Sequence, residues 1–201
     1  MKRLMRAAPS WFKNPSRSAG MTGDSAPAPV RPARNITLYL DVDGVVCPFG
    51  ATGRTPWGSG WSLANAGMLE VAYATELIDG LNSLTRLPGL RCVWLTSWED
   101  MAPRYLCPAI GLDGRGWPCL MAEGNGTGEA WWKLTALQED VATSTPDGII
   151  WIDDQLRYEP EAQAWAAFLG ARILVISPDP RRGISAAELD AVSAFAANPT
   201  F

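Results

Sequence analysis

Short apolar runs alternate with segments of helical periodicity along most of this chain, and this alternation restricts the possible folds most strongly. Apolar runs typical of strands begin near residues 36, 91, 117, 147 and 171. The segments between them place apolar side chains at helical spacing. Parallel strands require crossovers of about a dozen residues or more, which are usually helices. The pattern therefore predicts an α/β fold in which a five-stranded, mostly parallel sheet lies between two layers of helices.

The first 35 residues differ in composition from the rest of the chain. They are rich in Pro, Ser, Ala and Arg, and they carry seven basic side chains and one acidic side chain. Residues 36–201 carry ten basic and twenty acidic side chains. We therefore expect a disordered, basic tail over residues 1–35 and one folded domain over residues 36–201. Met21 is a second candidate start position within the tail.

The absence of histidine excludes several kinds of catalytic site. Ser-His-Asp and Cys-His nucleophile systems and His-ligated zinc all need an imidazole. The four cysteines form no CxxC pair, so we interpret them as buried, reduced thiols of a cytoplasmic protein. No apolar run approaches the ~20 residues of a membrane span. Any chemistry must therefore use carboxylates, hydroxyls, lysine, thiols and a hard metal ion.

Polar side chains end three of the predicted strands. They are Asp41 and Asp43 in the first strand, Thr96 and Ser97 in the second, and Asp153 and Asp154 in the fourth. Lys133 lies in a helix predicted from about residue 129 to residue 141, which leads back to the fourth strand. Ligands of open parallel sheets bind beyond the carboxyl ends of the strands. We therefore expect these side chains to share one site.

This set of groups suits the binding of Mg²⁺ and a phosphate. Four carboxylates in one small space need a cation to offset their repulsion. Carboxylate oxygens without histidine or cysteine are typical ligands of Mg²⁺, which also binds waters and phosphate. The Thr96 hydroxyl and the Lys133 ammonium can hold the phosphoryl oxygens that the metal ion does not hold. The sequence therefore predicts a Mg²⁺-dependent site for a phosphorylated substrate.

The order of these motifs resembles the haloacid dehalogenase (HAD) superfamily. A DVDGV motif is followed by a strand ending in Thr, a downstream Lys and a strand ending in Asp-Asp. Over residues 36–197 the segments VWLTSWED, WWKLTAL, WIDDQ and SPDPRRGISAAELDAV are similar to the small HAD domain of Swiss-army-knife RNA repair proteins. The resemblance implies a Rossmann-like, three-layer fold without a large cap domain.

The resemblance also implies a role for each site residue. Asp41 would be the nucleophile that forms an aspartyl-phosphate, and Asp43 would protonate the leaving group and then activate water. Thr96 would bind a phosphoryl oxygen, and Lys133 would neutralise developing charge and keep Asp41 ionised.

The same resemblance implies a ligand set for Mg²⁺. The Asp41 carboxylate, the Asp43 backbone carbonyl and the Asp153–Asp154 pair would hold the metal ion.

Several residues beside these motifs are candidates for substrate binding. Gly44, Ser97 and Trp98 adjoin the predicted catalytic groups. Trp57, Trp61 and Trp98 could stack on bases, although packing against apolar surface is the simpler interpretation. Arg181 and Arg182 could bind a phosphate backbone, but we interpret them as a solvated turn.

Three alternatives to a phosphatase are compatible with parts of this pattern. A receiver domain also clusters Asp, Thr and Lys, but its lysine comes last, whereas here Asp153 and Asp154 follow Lys133. The GNGTG segment at residues 124–128 lacks the GK[ST] ending of a phosphate-binding loop, so we interpret it as a connector. A non-catalytic phosphate-binding module is the main alternative. Asp43 and Lys133 argue against it, because a module that only binds does not need a general acid.

The nature of the substrate stays open at this level. About 25 residues separate the first strand from its helix, too few for a large lid, and an open site favours a large substrate such as a nucleic-acid end. The acidic domain argues against tight, non-specific binding of nucleic acid, whereas the basic tail could provide it.

Overall fold

A computed structural model of the protein describes residues 34–50, 57, 60–67, 69–122 and 131–198. Except for residues 34 and 35, the predicted basic tail lies outside the described residues, and so does the GNGTG segment.

Four parallel strands form the central sheet, and a separate pair of strands forms a hairpin. The six strands are β1 (Ile36–Leu40), β2 (Trp61–Asn65), β3 (Glu70–Ala74), β4 (Leu90–Trp94), β5 (Gly148–Ile152) and β6 (Ile173–Ile176). The order in the central sheet is β4-β1-β5-β6. All five residues of β1 are buried, because strands flank it on both edges and helices cover both faces. This burial explains why β1 is a continuous apolar run rather than an alternating one.

Within the described residues, five α-helices connect or follow these strands. They are α1 (Thr75–Leu84), α2 (Cys107–Ile110), α3 (Trp132–Ser144), α4 (Pro160–Leu169) and α5 (Ala186–Ala197). Helices α1 and α5 pack on one face of the sheet, where Leu77 and Val192 share a core with Leu38 of β1. Helices α3 and α4 pack on the other face, where Leu137 shares a core with Tyr39. The predicted arrangement of two helical layers around a parallel sheet is therefore confirmed.

Local signals mark several helix ends correctly. Pro160 begins α4 at the first helical position, where its missing N–H costs nothing, and Gly170 follows the last residue. Ser185 and Glu188 form a capping box at the start of α5, as a serine followed by a glutamate three residues later predicts.

In the part of the chain that the structure describes, the sheet has four strands rather than the five predicted. Residues 117–122 make a single bridge, in which the Trp94 N–H donates to the Pro118 carbonyl and the Leu120 N–H donates to the Trp94 carbonyl, both over 2.9 Å. Pro118 has no N–H to donate, so the segment cannot continue a regular ladder at that position. It therefore adjoins the edge of β4 without becoming a strand.

A further difference lies between β1 and α1, where the sequence pattern predicts no strand. Strands β2 and β3 form an antiparallel hairpin there, with Trp61 opposite Ala74 and Asn65 opposite Glu70. The hairpin was hard to predict because both strands are only partly buried, which weakens the alternation of apolar and polar residues.

All four cysteines are free, and three of them are buried, namely Cys47, Cys92 and Cys107. Among the described residues, none of the helices combines the length and the apolar character that crossing a membrane requires.

Candidate active site

The predicted site residues lie where parallel strands end. Backbone hydrogen bonds extend the ladder just past the strands, because the Asp41 N–H donates to Ile152 over 3.1 Å and the Asp153 N–H donates to Ile176 over 3.1 Å. The Leu95 N–H donates to the carbonyl of Leu40 in the same way, over 3.0 Å. The residues that follow β1, β4 and β5 are therefore neighbours at one edge of the sheet, as ligand sites in such sheets require.

Three carboxylates and one ammonium form the centre of this site. One oxygen each from Asp41, Asp153 and Asp154 lie within 4.8 Å of one another, and all three residues are buried. The Lys133 Nζ lies 2.8 Å from Oδ2 of Asp41 and 2.6 Å from Oδ2 of Asp153. Lys133 itself is 4% exposed, so these ion pairs are shielded from water. The structure thus brings together four residues that the sequence places on three different elements.

The site carries more negative than positive charge. Burial raises the pKa of both Asp153 and Asp154, and the charge of Asp41 raises them further. Burial alone would lower the pKa of Lys133, but Asp41 and Asp153 together raise it, so Lys133 stays charged. One ammonium cannot offset three carboxylates. A divalent cation with a preference for oxygen ligands would remove the excess charge, so the donor set fits Mg²⁺.

The two adjacent aspartates differ in their partners. Asp153 is fully buried, with Oδ2 accepting from Lys133 and Oδ1 accepting from the Gln155 N–H over 2.9 Å. Asp154 is 8% exposed and lies against the loop at Gly44. Asp153 therefore holds Lys133 in place, whereas Asp154 is the more accessible of the pair.

Asp43 and Gly44 lie in a tight turn that follows β1. The N–H groups of Val46 and Cys47 both donate to the Val42 carbonyl over 2.9 Å, which closes the turn. Gly44 has a φ of +71°, and an added Cβ would lie 2.8 Å from Cγ of Asp154. Glycine is needed here because this backbone conformation is rare for other residues and because there is no room for a side chain.

Asp43 is half-buried, and its environment suits a proton donor. Burial raises the pKa of Asp43, and the neighbouring Asp41 charge adds to that effect. A hydrogen bond from the indole N–H of Trp98, over 3.0 Å, opposes the rise by favouring the ionised form.

The residues predicted to contact the substrate differ in their exposure to solvent. Ser97 is exposed, whereas Thr96 is fully buried with Oγ1 accepting from the Trp98 N–H over 3.3 Å. Trp98 is 4% exposed and packs in the core, which favours the simpler interpretation of this residue, packing against apolar surface, over stacking on a base. Its ring faces inward because the indole N–H reaches Asp43.

The other two candidate stacking residues are also engaged in packing. The indole N–H of Trp57 donates to the Ile184 carbonyl over 2.6 Å, and the indole nitrogen of Trp61 is buried. Both rings pack against the core on the α1 side of the sheet.

A polar cluster that was not predicted from the sequence holds α3 on the sheet. Asp140 accepts two hydrogen bonds from the Arg91 guanidinium, over 2.6 and 2.9 Å, and one from the Tyr39 hydroxyl over 2.6 Å. Asp140 follows Lys133 by two helical turns, so both project from the same side of α3. That spacing is visible in the sequence and could have identified the residue.

The loop after β6, residues 177–180, also adjoins the site, which was not predicted from the sequence. The Ser177 hydroxyl donates to the Asp154 carbonyl over 3.0 Å. The Arg157 guanidinium donates to the carbonyls of Ser177 and Pro178. These bonds hold residues 177–180 beside Asp154.

A parallel α/β sheet with paired aspartates, a lysine and a buried carboxylate cluster beyond its strand ends defines a HAD domain. A family model described as the HAD domain in Swiss Army Knife RNA repair proteins matches residues 37–189. The chain belongs to this family. No curated protein sequence matched the chain significantly. The matched segment contains every site residue described above.

Proposed function

We propose that this protein is a Mg²⁺-dependent phosphomonoesterase that works through an aspartyl-phosphate on Asp41. The buried cluster of Asp41, Asp153 and Asp154 around Lys133 carries this proposal. Membership of a HAD family found in RNA repair proteins supports phosphoryl chemistry and favours a nucleic-acid end as the substrate.

The carboxylates of Asp41, Asp153 and Asp154 and the backbone carbonyl of Asp43 would hold the metal ion. When bound, Mg²⁺ would neutralise part of the negative charge shared by the phosphate and the carboxylates.

The first step forms the covalent intermediate. A carboxylate oxygen of Asp41 attacks phosphorus, and the ester P–O bond breaks as Asp43 gives its proton to the leaving oxygen. Lys133, whose Nζ lies 2.8 Å from Oδ2 of Asp41, orients the attacking carboxylate and offsets the charge of the phosphoryl group. The raised pKa of Asp43 supports the role of acid, because it increases the protonated fraction near neutral pH.

The second step regenerates the enzyme. Asp43, now ionised, takes a proton from a water molecule, whose oxygen attacks the same phosphorus. The bond to Asp41 breaks, and inorganic phosphate leaves. Thr96 is proposed to donate its hydroxyl to a phosphoryl oxygen in both steps, and the exposed Ser97 to contact the substrate.

A direct test compares hydrolysis of p-nitrophenyl phosphate and of 5′- and 3′-phosphorylated oligonucleotides, with Mg²⁺ and with EDTA. The wild-type protein should release phosphate only with Mg²⁺, and Asp41→Asn should reduce release to background. Asp190→Asn, which changes an exposed aspartate on α5, is the matched control and should retain activity.

Two results would contradict the proposal. One is full activity of the Asp41→Asn variant. The other is a wild-type protein that binds the phosphorylated oligonucleotides but hydrolyses none of the substrates, which would support the non-catalytic phosphate-binding module instead.

A further inference from the structure

We propose that Phe49, Arg181 and Arg182 form a strand-end platform, which binds the nucleotide next to the scissile phosphate of a single-stranded nucleic-acid end. The inference rests on the proposed function and names the substrate-binding surface of the same site. It replaces the tryptophans considered from the sequence, whose rings or indole N–H groups are engaged in packing.

The platform is built from two loops that meet. The Phe49 N–H donates to the Pro180 carbonyl over 2.8 Å, and the Ile184 N–H donates to the Val45 carbonyl over 3.0 Å. The two backbones are also in close contact at Gly50, where an added Cβ would lie 1.9 Å from the Arg181 carbonyl oxygen. Phe49 and the two arginines therefore belong to one continuous surface.

This surface adjoins the carboxylate cluster. An added Cβ at Gly44 would lie 2.8 Å from Oδ2 of Asp154 and 3.0 Å from Cβ of Pro180. Gly44 is thus packed between the candidate metal ligand and the loop that carries the arginines. A phosphate held at the cluster would place the adjoining nucleotide within reach of these loops.

Phe49 and the arginines offer groups that a nucleic-acid strand can use. Phe49 is 69% exposed, which is unusual for a large aromatic ring on a tightly hydrogen-bonded loop. An exposed ring can stack on an unpaired base regardless of its identity. A guanidinium can bind phosphate oxygens through two parallel hydrogen bonds.

Both arginines are available for such contacts. Arg181 and Arg182 are exposed, and neither forms an ion pair within the part of the chain that the structure describes. The nearest acid, Asp179, uses Oδ1 to accept the Arg181 N–H over 2.9 Å, and its carbonyl accepts the N–H groups of Arg182 and Gly183. The turn is therefore held by its backbone, which leaves the guanidinium groups free to contact a ligand.

The exposed Phe49 ring together with the two arginines favours a nucleic-acid strand over a small phosphate ester as the ligand. A ring that stacks and two cations that bind phosphate match the alternation of base and phosphodiester along a strand, whereas a small ester would reach only the carboxylate cluster. The folded domain carries twice as many acidic as basic side chains, so two arginines beside the site should contribute measurably to the salt dependence of binding.

The test measures binding without turnover in the Asp41→Asn protein, by fluorescence anisotropy of a single-stranded, terminally phosphorylated oligonucleotide. Adding Phe49→Ala should weaken binding about fivefold or more, given the usual energy of base stacking. Adding Arg181→Gln and Arg182→Gln should weaken binding and reduce the slope of log Kd against log salt by about 1.4.

Two control variants carry the same kinds of change near the amino-terminal ends of the strands, away from the strand ends that form the site. Phe168→Ala removes an aromatic ring that is 85% exposed near the end of α4, and Arg86→Gln changes an exposed arginine in the turn before β4. Both should bind the oligonucleotide as the Asp41→Asn protein does.

The outcomes separate this inference from the proposed function. If wild-type protein hydrolyses p-nitrophenyl phosphate but the platform changes do not weaken oligonucleotide binding beyond the controls, the platform is wrong and the phosphatase stands. If the platform changes weaken binding but no substrate is hydrolysed, the platform stands and the catalytic proposal fails. A phosphorylated mononucleotide that binds as tightly as the oligonucleotide would also overturn the platform.

Discussion

The indole N–H of Trp98 donates a hydrogen bond to Oδ2 of Asp43 over 3.0 Å. Trp98 is buried, so its contribution to the site is to orient this carboxyl group rather than to face a substrate. The bond joins the segment after β4 to the turn after β1, and it limits the rotation of the proposed general acid.

Trp98→Phe tests this relationship, because phenylalanine retains most of the packing but cannot donate the hydrogen bond. We expect kcat for an alkyl phosphate to fall about three- to tenfold, the effect of losing one hydrogen bond of ordinary strength to the protonated carboxyl group. The loss should be smaller for p-nitrophenyl phosphate, because a good leaving group needs little protonation. Steady-state kinetics with both substrates measure the difference.

Trp117→Phe is the matched control, since Trp117 packs against Trp94 at a centroid distance of 4.8 Å, whereas it is the Trp98 indole that donates to Asp43. Equal losses for the two substrates in Trp98→Phe would show that Trp98 does not act through the general acid.

Lys133→Met should destabilise the protein strongly when Mg²⁺ is absent. Removing the ammonium leaves the buried carboxylates of Asp41 and Asp153 unpaired, which typically costs about 3 kcal/mol or more of unfolding free energy. Urea unfolding at neutral pH measures the change, and added Mg²⁺ should restore part of the loss.

Arg104→Met provides the comparison, because Arg104 pairs with Asp100 on the surface over 3.1 Å. Its loss should be below about 1 kcal/mol, as is usual for exposed pairs. Similar losses in the two variants would mean that Lys133 contributes no more than a surface charge.

Gly44→Ala should weaken the stabilisation of the protein by Mg²⁺. Binding to the native state should raise the wild-type thermal midpoint by about 5 °C or more at a hundredfold excess over Kd. The new methyl group would lie 2.8 Å from Oδ2 of Asp154, so Asp154 must move and the response should shrink. Thermal unfolding with and without Mg²⁺ gives both values.

Gly111→Ala is the control that separates the effect of backbone strain from the effect of moving Asp154. Gly111 has a φ of +76°, similar to that of Gly44, but an added Cβ there meets nothing within 4 Å. Both alanine variants should lower the midpoint without metal, whereas Gly111→Ala should keep the full Mg²⁺ response. A normal response in Gly44→Ala would remove Asp154 from the metal site.

Asp140→Asn should reduce stability at neutral pH but not in acid. Burial alone would raise the pKa of Asp140, but hydrogen bonds from Arg91 and Tyr39 outweigh it and lower the pKa. A lowered pKa means that the unfolded chain binds the proton more readily, so this stabilisation is lost as pH falls through the folded-state pKa.

The expected difference between wild type and Asp140→Asn is about 2 kcal/mol near pH 7 and should shrink towards about pH 3. Urea unfolding across this range measures it. Subtracting the variant from wild type cancels the opposite effect of Asp153 and Asp154, whose pKa values are raised. A difference that stays constant with pH would exclude an ionised Asp140 as its source.

Local patterns in the sequence were enough to predict the layered α/β fold and the elements that carry the site. The unbroken apolar run before Asp41 identifies a strand buried on both faces, and the Ser185 capping box marks the start of α5. These signals are reliable because burial and capping depend on residues close together in the chain. The positions of Asp41, Asp153 and Asp154 at strand ends follow from the same patterns.

The sequence alone determined which chemical groups are present and which strand ends carry them, whereas the tertiary structure decided how they meet. The inward position of Trp98, the pairing of Lys133 with both Asp41 and Asp153, and the contact of Phe49 with Pro180 each join segments far apart in the chain. The single bridge between Cys119 and Trp94, which replaces the predicted fifth strand, also joins segments that are distant in the chain. Such contacts depend on how whole layers pack, because the partner of a side chain is set by the space and hydrogen-bonding groups that distant segments bring to it.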